Sequence, residues 1–118
     1  MKYLCLIFDE EQRFTTMPKS QLDGLMAEYR DFGESIRQSG HYVDGSQLAP
    51  IRTASTVRMR NGKMSVTDGP FAETKEQLAG YYVIEAADLN EALQLASRIP
   101  SARSGSVEVR PLIEGRPD

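Results

Sequence analysis

The Asn61-Gly62 pair constrains this chain more than any other feature of its sequence. A two-residue hairpin loop of type I′ needs positive φ at both central positions, and Asn-Gly meets that need at least cost. Such a loop leaves no freedom of register. Arg60 must face Lys63, Met59 Met64, Arg58 Ser65, Val57 Val66, Thr56 Thr67 and Ser55 Asp68. Apolar side chains then meet apolar ones on one face, and a slip of one residue would scatter them. Turn chemistry and side-chain pattern agree, so a hairpin is expected over residues 55–68.

The flanking segments alternate strand and helix. Residues 3–8 (Tyr3, Leu4, Cys5, Leu6, Ile7, Phe8) are continuously apolar, as in a strand covered on both faces. Residues 9–17 form a polar loop, and Pro18 suits the first position of a helix, with Thr16 or Met17 as its cap. Leu22, Leu25, Met26, Tyr29, Phe32, Gly33 and Ile36 recur at helical spacing, and Gly40 ends the run. Residues 41–49 look like a short, interrupted edge strand. After the hairpin, Asp68-Gly69-Pro70-Phe71 breaks the chain, and residues 79–86 form a second continuously apolar strand. Asp88 and Glu91 have the spacing of a capping box, followed by a stripe of Leu89, Ala92, Leu93 and Ala96 that Pro100 closes. Residues 107–110 alternate and end at Pro111, the mark of an edge strand.

The order is β-α-β, an inserted hairpin, then β-α-β. That is an α+β ferredoxin-like sandwich with both helices on one sheet face, and its first and third strands are central. Those are the two continuously apolar runs. Residues 1–113 are expected to form one domain, with 114–118 a flexible C-terminal tail. The sheet face away from the helices needs a cover, and a second copy of the chain is the simplest one, so a homodimer is expected.

Composition narrows function mainly by exclusion. With 14 basic and 17 acidic residues the net charge is −3, which leaves no electrostatic footprint for nucleic acid or an anionic membrane. No apolar run approaches the length of a membrane span and no leader peptide is visible, so a cytoplasmic location is expected. The basic residues are ten Arg to four Lys. Arginine forks suit carboxylate or phosphate, but scattered surface positions are the simpler account of them. One cysteine and one histidine argue against a zinc site; Cys5 reads as a small hydrophobe in a strand and His41 as an exposed helix-exit residue. Neither a phosphate-binding glycine loop nor a Gly-x-Ser-x-Gly elbow occurs, and no cofactor is expected.

The segment Val66-Thr67-Asp68-Gly69-Pro70-Phe71-Ala72-Glu73-Thr74-Lys75-Glu76-Gln77-Leu78-Ala79-Gly80-Tyr81-Tyr82 resembles the signature of the DGPF group of YCII-related proteins. The likeness continues through Asp88-Leu89 to Val107-Glu108-Val109-Arg110-Pro111. It implies a dimeric α+β barrel, two ferredoxin-like sheets packed face to face. In the wider family a histidine on the first helix and an aspartate after the second have been taken as a catalytic pair. Some relatives resemble dehydrochlorinases acting on chlorinated hydroxyquinols. Those positions fall here on Tyr29 and on Ile99-Pro100-Ser101, so the pair is absent.

Register puts Asp68 on the face of Met64 and Val66, pointing inward. It is therefore a candidate for acid–base or ligand-anchoring work, or else a turn aspartate bonded to backbone N–H groups near Gly69 and Phe71. Tyr29 is the second catalytic candidate, at the relatives' histidine position. Tyr81 and Tyr82 point to opposite faces of a central strand, one under the helices and one toward a subunit partner, where a pocket is expected. Glu73 and Lys75 supply a polar lip, or brace the turn with Thr74. Two functions follow: a small-molecule-binding protein or cofactor-free enzyme with its pocket near Asp68, or a non-catalytic regulatory protein linked to alternative sigma factors, beside which many DGPF-type proteins occur.

Overall fold

The first strand, β1 (Lys2–Asp9), shows how the chain distributes its apolar residues. Tyr3, Cys5, Ile7 and Asp9 are buried, while Leu4, Leu6 and Phe8 between them are only half-buried. The continuous apolar run therefore has one fully covered face, not two. The computed structural model describes residues 1–114.

The remaining elements are α1 (Glu11–Thr15), α2 (Lys19–Gln38), β2 (Tyr42–Gln47), β3 (Ser55–Arg60), β4 (Lys63–Asp68), β5 (Gln77–Glu85), α3 (Leu89–Ala96) and β6 (Ser106–Pro111). Four strands make an antiparallel sheet in the order β2-β5-β1-β6, with β1 and β5 central and β2 and β6 at the edges. This is the ferredoxin-like order expected from the sequence. The core lies between this sheet and the two long helices. Tyr3, Cys5, Ile7 and Ile84 come from the strands, Phe32 and Ile36 from α2, and Ala92, Leu95 and Ala96 from α3, with Ile99 just beyond.

Local chemistry sets the helix ends. Gly40 has φ 80°, and the bonds Gly40 N–H to Arg37 O (3.1 Å) and His41 N–H to Ile36 O (2.9 Å) complete a Schellman motif after α2. Asp88 caps α3 by accepting from the Glu91 N–H at 2.9 Å, and the Glu91 carboxylate reaches back to the Ala87 N–H at 2.9 Å. The α3 stripe is shifted from the expected one. Ala92, Leu95, Ala96 and Ile99 are buried, whereas Leu89 and Leu93 are exposed, because the i, i+3, i+4, i+7 set that contains Ile99 faces the sheet. Pro18 stands just outside α2, and neither Thr16 nor Met17 caps it. The expected loop at 9–17 contains the short helix α1, anchored from outside by the Glu11 N–H donating to Gln77 Oε1 at 2.9 Å.

The hairpin has the expected register throughout, with Asn61 at φ 53° and Gly62 at φ 74°. It stands apart as its own two-stranded sheet. The face expected to point inward is open within the chain: Val57, Met59, Met64 and Val66 are each about 60–70% exposed. The Cα radius of gyration is 16.5 Å, against roughly 13–14 Å for a compact chain of this length. The hairpin is an arm. Of the expected C-terminal tail, residues 115–118 lie outside the described residues, and Glu114 Oε1 accepts from the Lys2 N–H at 2.8 Å.

Candidate functional site

Helix α2 crosses the sheet at a distance from its β2–β5 end, and between them opens a cavity of about 840 Å³. Leu22, Leu25 and Met26 of α2 and Phe14 of α1 form its apolar side. Ile7, Gly80 and Tyr82 form the floor, and residues 45–50 the far wall. Such a volume suits an organic molecule.

At the inner end sits a polar cluster. The Tyr29 hydroxyl and Ser101 Oγ share a hydrogen bond of 2.5 Å, which joins α2 to the turn Pro100–Arg103 after α3. Beside them is Asp9, 1% exposed. Its Oδ2 accepts from Ser104 Oγ (2.7 Å) and Arg13 Nη2 (3.1 Å), and its Oδ1 from the Glu10 N–H (2.8 Å). Tyr29, Ser101 and Asp9 all line the cavity.

Burial pushes the Tyr29 phenol above its ordinary value, and the nearby Asp9 charge adds to this against the opposing hydrogen bonds from Ser101 and the charge of Arg103. The Tyr29 phenol is therefore a protonated donor at neutral pH, suited to meeting a ligand oxygen. Asp9 already accepts three bonds from within the chain, so it orders the cluster. Burial also pushes the Cys5 thiol from 9.0 up to about 11, so no nucleophilic thiolate exists here. The Tyr82 phenol rises from 10.0 to about 12 through burial, reinforced by Tyr29 and Tyr42.

Cys5 and Tyr82 hold their protons more tightly folded than unfolded. Their stabilising contribution is complete below about pH 8 and is lost as pH climbs through 9 to 12. Fully buried Cys5 accounts for roughly 2–3 kcal/mol, and partly exposed Tyr82 for less, because solvent screens its charge. Melting temperature should therefore fall steeply across that alkaline range, and Cys5→Ala should remove part of the slope. A flat profile to pH 11 would contradict the burial of both groups.

The structure brings together some of the candidates and separates others. Tyr29, Tyr81 and Tyr82 border the cavity. Tyr82 packs edge-on against Phe32 at 5.3 Å under α2, while Tyr81 lies opposite Leu6 and donates to Asp44 Oδ2 at 3.3 Å. Asp68, Glu73 and Lys75 are exposed and do not line it. The inward direction expected of Asp68 is corrected. Its strand belongs to the projecting arm, and among the described residues its carboxylate accepts no hydrogen bond. The turn is held instead by the Gly69 N–H to Ala54 O (2.7 Å) and Thr56 Oγ to Gly69 O (2.8 Å). Thr74 braces its own loop by donating to Glu76 O at 2.6 Å. The cavity is on the helix side of the sheet, not on the side expected to face a partner. His41 bonds Ser39 Oγ (2.6 Å) and lies 3.4 Å from Glu91, away from the cavity. Among the described residues, no group of three His, Cys, Asp or Glu side chains could hold a metal ion, and no helix is long and apolar enough to cross a membrane.

Comparison with known proteins gives a family and a fold for the chain. The family model for the YCII-related domain matches residues 1–116. The chain is 36% identical over 119 residues to the uncharacterized protein R00369 of Rhizobium meliloti (strain 1021), covering 99% of this chain and 96% of that one. Among solved structures, it resembles 5-chloro-2-hydroxyhydroquinone dehydrochlorinase (TftG) from Burkholderia phenoliruptrix AC1100, in complex with 2,5-dihydroxybenzoquinone. The TM-score is 0.56 at 14% identity, with 98% and 96% of the two chains covered, a likeness of fold.

Proposed function

The chain belongs to the YCII-related family, and from that premise we propose that it is a homodimeric cytoplasmic protein that binds a small organic molecule between α2 and the sheet. The observation that carries this reading is the cavity of about 840 Å³ with the Tyr29–Ser101–Asp9 cluster at its inner end. An apolar hollow ending in a few fixed polar groups is the usual form of a small-molecule site. That a protein of the same fold, TftG, holds 2,5-dihydroxybenzoquinone supports the same use of the fold here. Binding is the reading favoured, because the cluster presents hydroxyl groups and Asp9 is committed to partners within the chain. Asp68 enters this reading only as a surface residue of the arm, which a second chain could cover.

A fragment screen read by melting temperature tests the proposal. Ring compounds bearing an oxygen acceptor should stabilise the protein, and Tyr29→Phe should lose those hits while staying folded, at a cost of about 1 kcal/mol for the bond lost to buried Ser101. If hits survive Tyr29→Phe unchanged, the cluster has no part in binding.

The dimer rests on two apolar surfaces of one chain, the open arm and the half-buried outer sheet face with Leu4, Leu6 and Phe8. Light scattering after size exclusion should give twice the 13.2 kDa chain mass. Val57→Glu with Val66→Glu should give a folded monomer; a monomeric parent would refute the dimer. The regulatory reading would use the same arm to hold a different protein, and a monomeric parent would favour it.

A further inference from the structure

Three arginines border the cavity: Arg30 and Arg37, two turns apart on α2, and Arg52 from the turn after β2. They face two carboxylates, and both of those are already engaged. Asp9 holds Arg13, Ser104 and the Glu10 N–H, while Glu11 Oε2 accepts from the Ile51 N–H at 2.9 Å. Among the described residues, none of the three arginines pairs with a carboxylate or makes a side-chain hydrogen bond. The chain as a whole carries −3, so cation excess at this rim runs against the protein's overall charge.

Arg37 is also positioned. Its guanidinium lies 4.2 Å from the centre of the Tyr42 ring. On the other side, Nη1 is 3.3 Å from the point where a Cβ on Gly33 would stand, so glycine leaves it room. A guanidinium stacked on an aromatic ring loses little further freedom when its fork takes a carboxylate.

We propose that the ligand of this cavity is an organic carboxylate with an apolar ring, its ring among Leu22, Leu25 and Tyr82 and its anionic group held by Arg37, with Arg30 and Arg52 adding attraction at the rim. The inference rests on the cavity being a ligand site and adds the charge of what enters it. Tyr29, at the inner end, meets the far side of such a molecule as a neutral donor.

The test uses 1-naphthoate and its uncharged isostere 1-naphthamide, titrated calorimetrically into the full-length protein at pH 7. Naphthoate should bind at least about tenfold more tightly, the size of effect a charge-assisted fork supplies. Arg37→Gln should bring the two affinities to within about twofold by weakening naphthoate alone, and Arg37→Lys should retain part of the preference. High salt should weaken naphthoate and spare naphthamide. Equal affinities in the parent, or a preference that survives Arg37→Gln, would overturn the proposal. If naphthamide binds as well as naphthoate and Leu25→Trp expels both, the charge inference fails while the cavity stands as a ligand site. If neither binds at millimolar concentration, the carboxylate class is ruled out, and the fragment screen decides the cavity separately.

Discussion

Gly105→Ala is expected to destabilise the protein by at least about 3 kcal/mol, a large share of the stability of a marginal domain. A Cβ at this position would stand 2.0 Å from the Phe8 carbonyl oxygen and 2.9 Å from the Asp9 carboxyl carbon. Neither atom can yield cheaply. Phe8 is paired with Ser106 at the end of the β1–β6 ladder, and Asp9 is fixed by its three bonds. Restricting the unfolded chain with alanine returns only about 0.4–1 kcal/mol. The check is a urea titration: the midpoint should drop with the slope unchanged. A midpoint matching the parent's would mean that β6 does not approach β1 this closely.

The second large effect is expected at Asp9. Asp9→Ala removes the acceptor for Ser104 Oγ, Arg13 Nη2 and the Glu10 N–H from a position that is 1% exposed. The expected cost is about 2–3 kcal/mol, less than for a fully buried ion pair because the Arg13 side chain is 42% exposed and can turn to water. Asp9→Asn should cost about 1 kcal/mol. Its amide oxygen still serves the Glu10 N–H, and Ser104 can reverse its bond to accept from the amide nitrogen. Removing the charge also removes one cause of the raised Tyr29 value, so an ultraviolet titration of Asp9→Asn should show that phenol ionising at lower pH. Equal stability of both variants with the parent would mean the cluster carries no load.

Asp9 is also where the sequence was hardest to read. Tyr3, Cys5 and Ile7 mark the buried face with period two, and Asp9 continues it. The acidic run that follows, Glu10-Glu11, made it look like the start of a loop. What buries it is the approach of Ser104 and Gly105 from the far end of the chain, which no local pattern records. The Asn61-Gly62 turn, the Gly40 helix end and the Asp88 cap were legible because their causes lie within a few residues. Asp68 shows the boundary between the two cases. The turn fixes the face it shares, but whether that face meets the body, a partner or water depends on where the whole arm projects. Ser101 is no candidate in the sequence: the family likeness yields only the absence of a His–Asp pair at Tyr29 and Ile99-Pro100-Ser101, and it is the fold that joins Tyr29 to Ser101 at 2.5 Å.

The proposed ligand site lies between α2 and the helix-facing side of the sheet, not near Asp68. Amide chemical-shift mapping of a fragment hit on nitrogen-labelled protein tests it most directly. The largest shifts are expected at Met26, Tyr29, Gly33, Gly80, Tyr82 and Ser101, with Val57, Met64 and Asp68 unmoved. Shifts confined to the arm and the Asp68-Gly69-Pro70-Phe71 turn, with α2 silent, would contradict it.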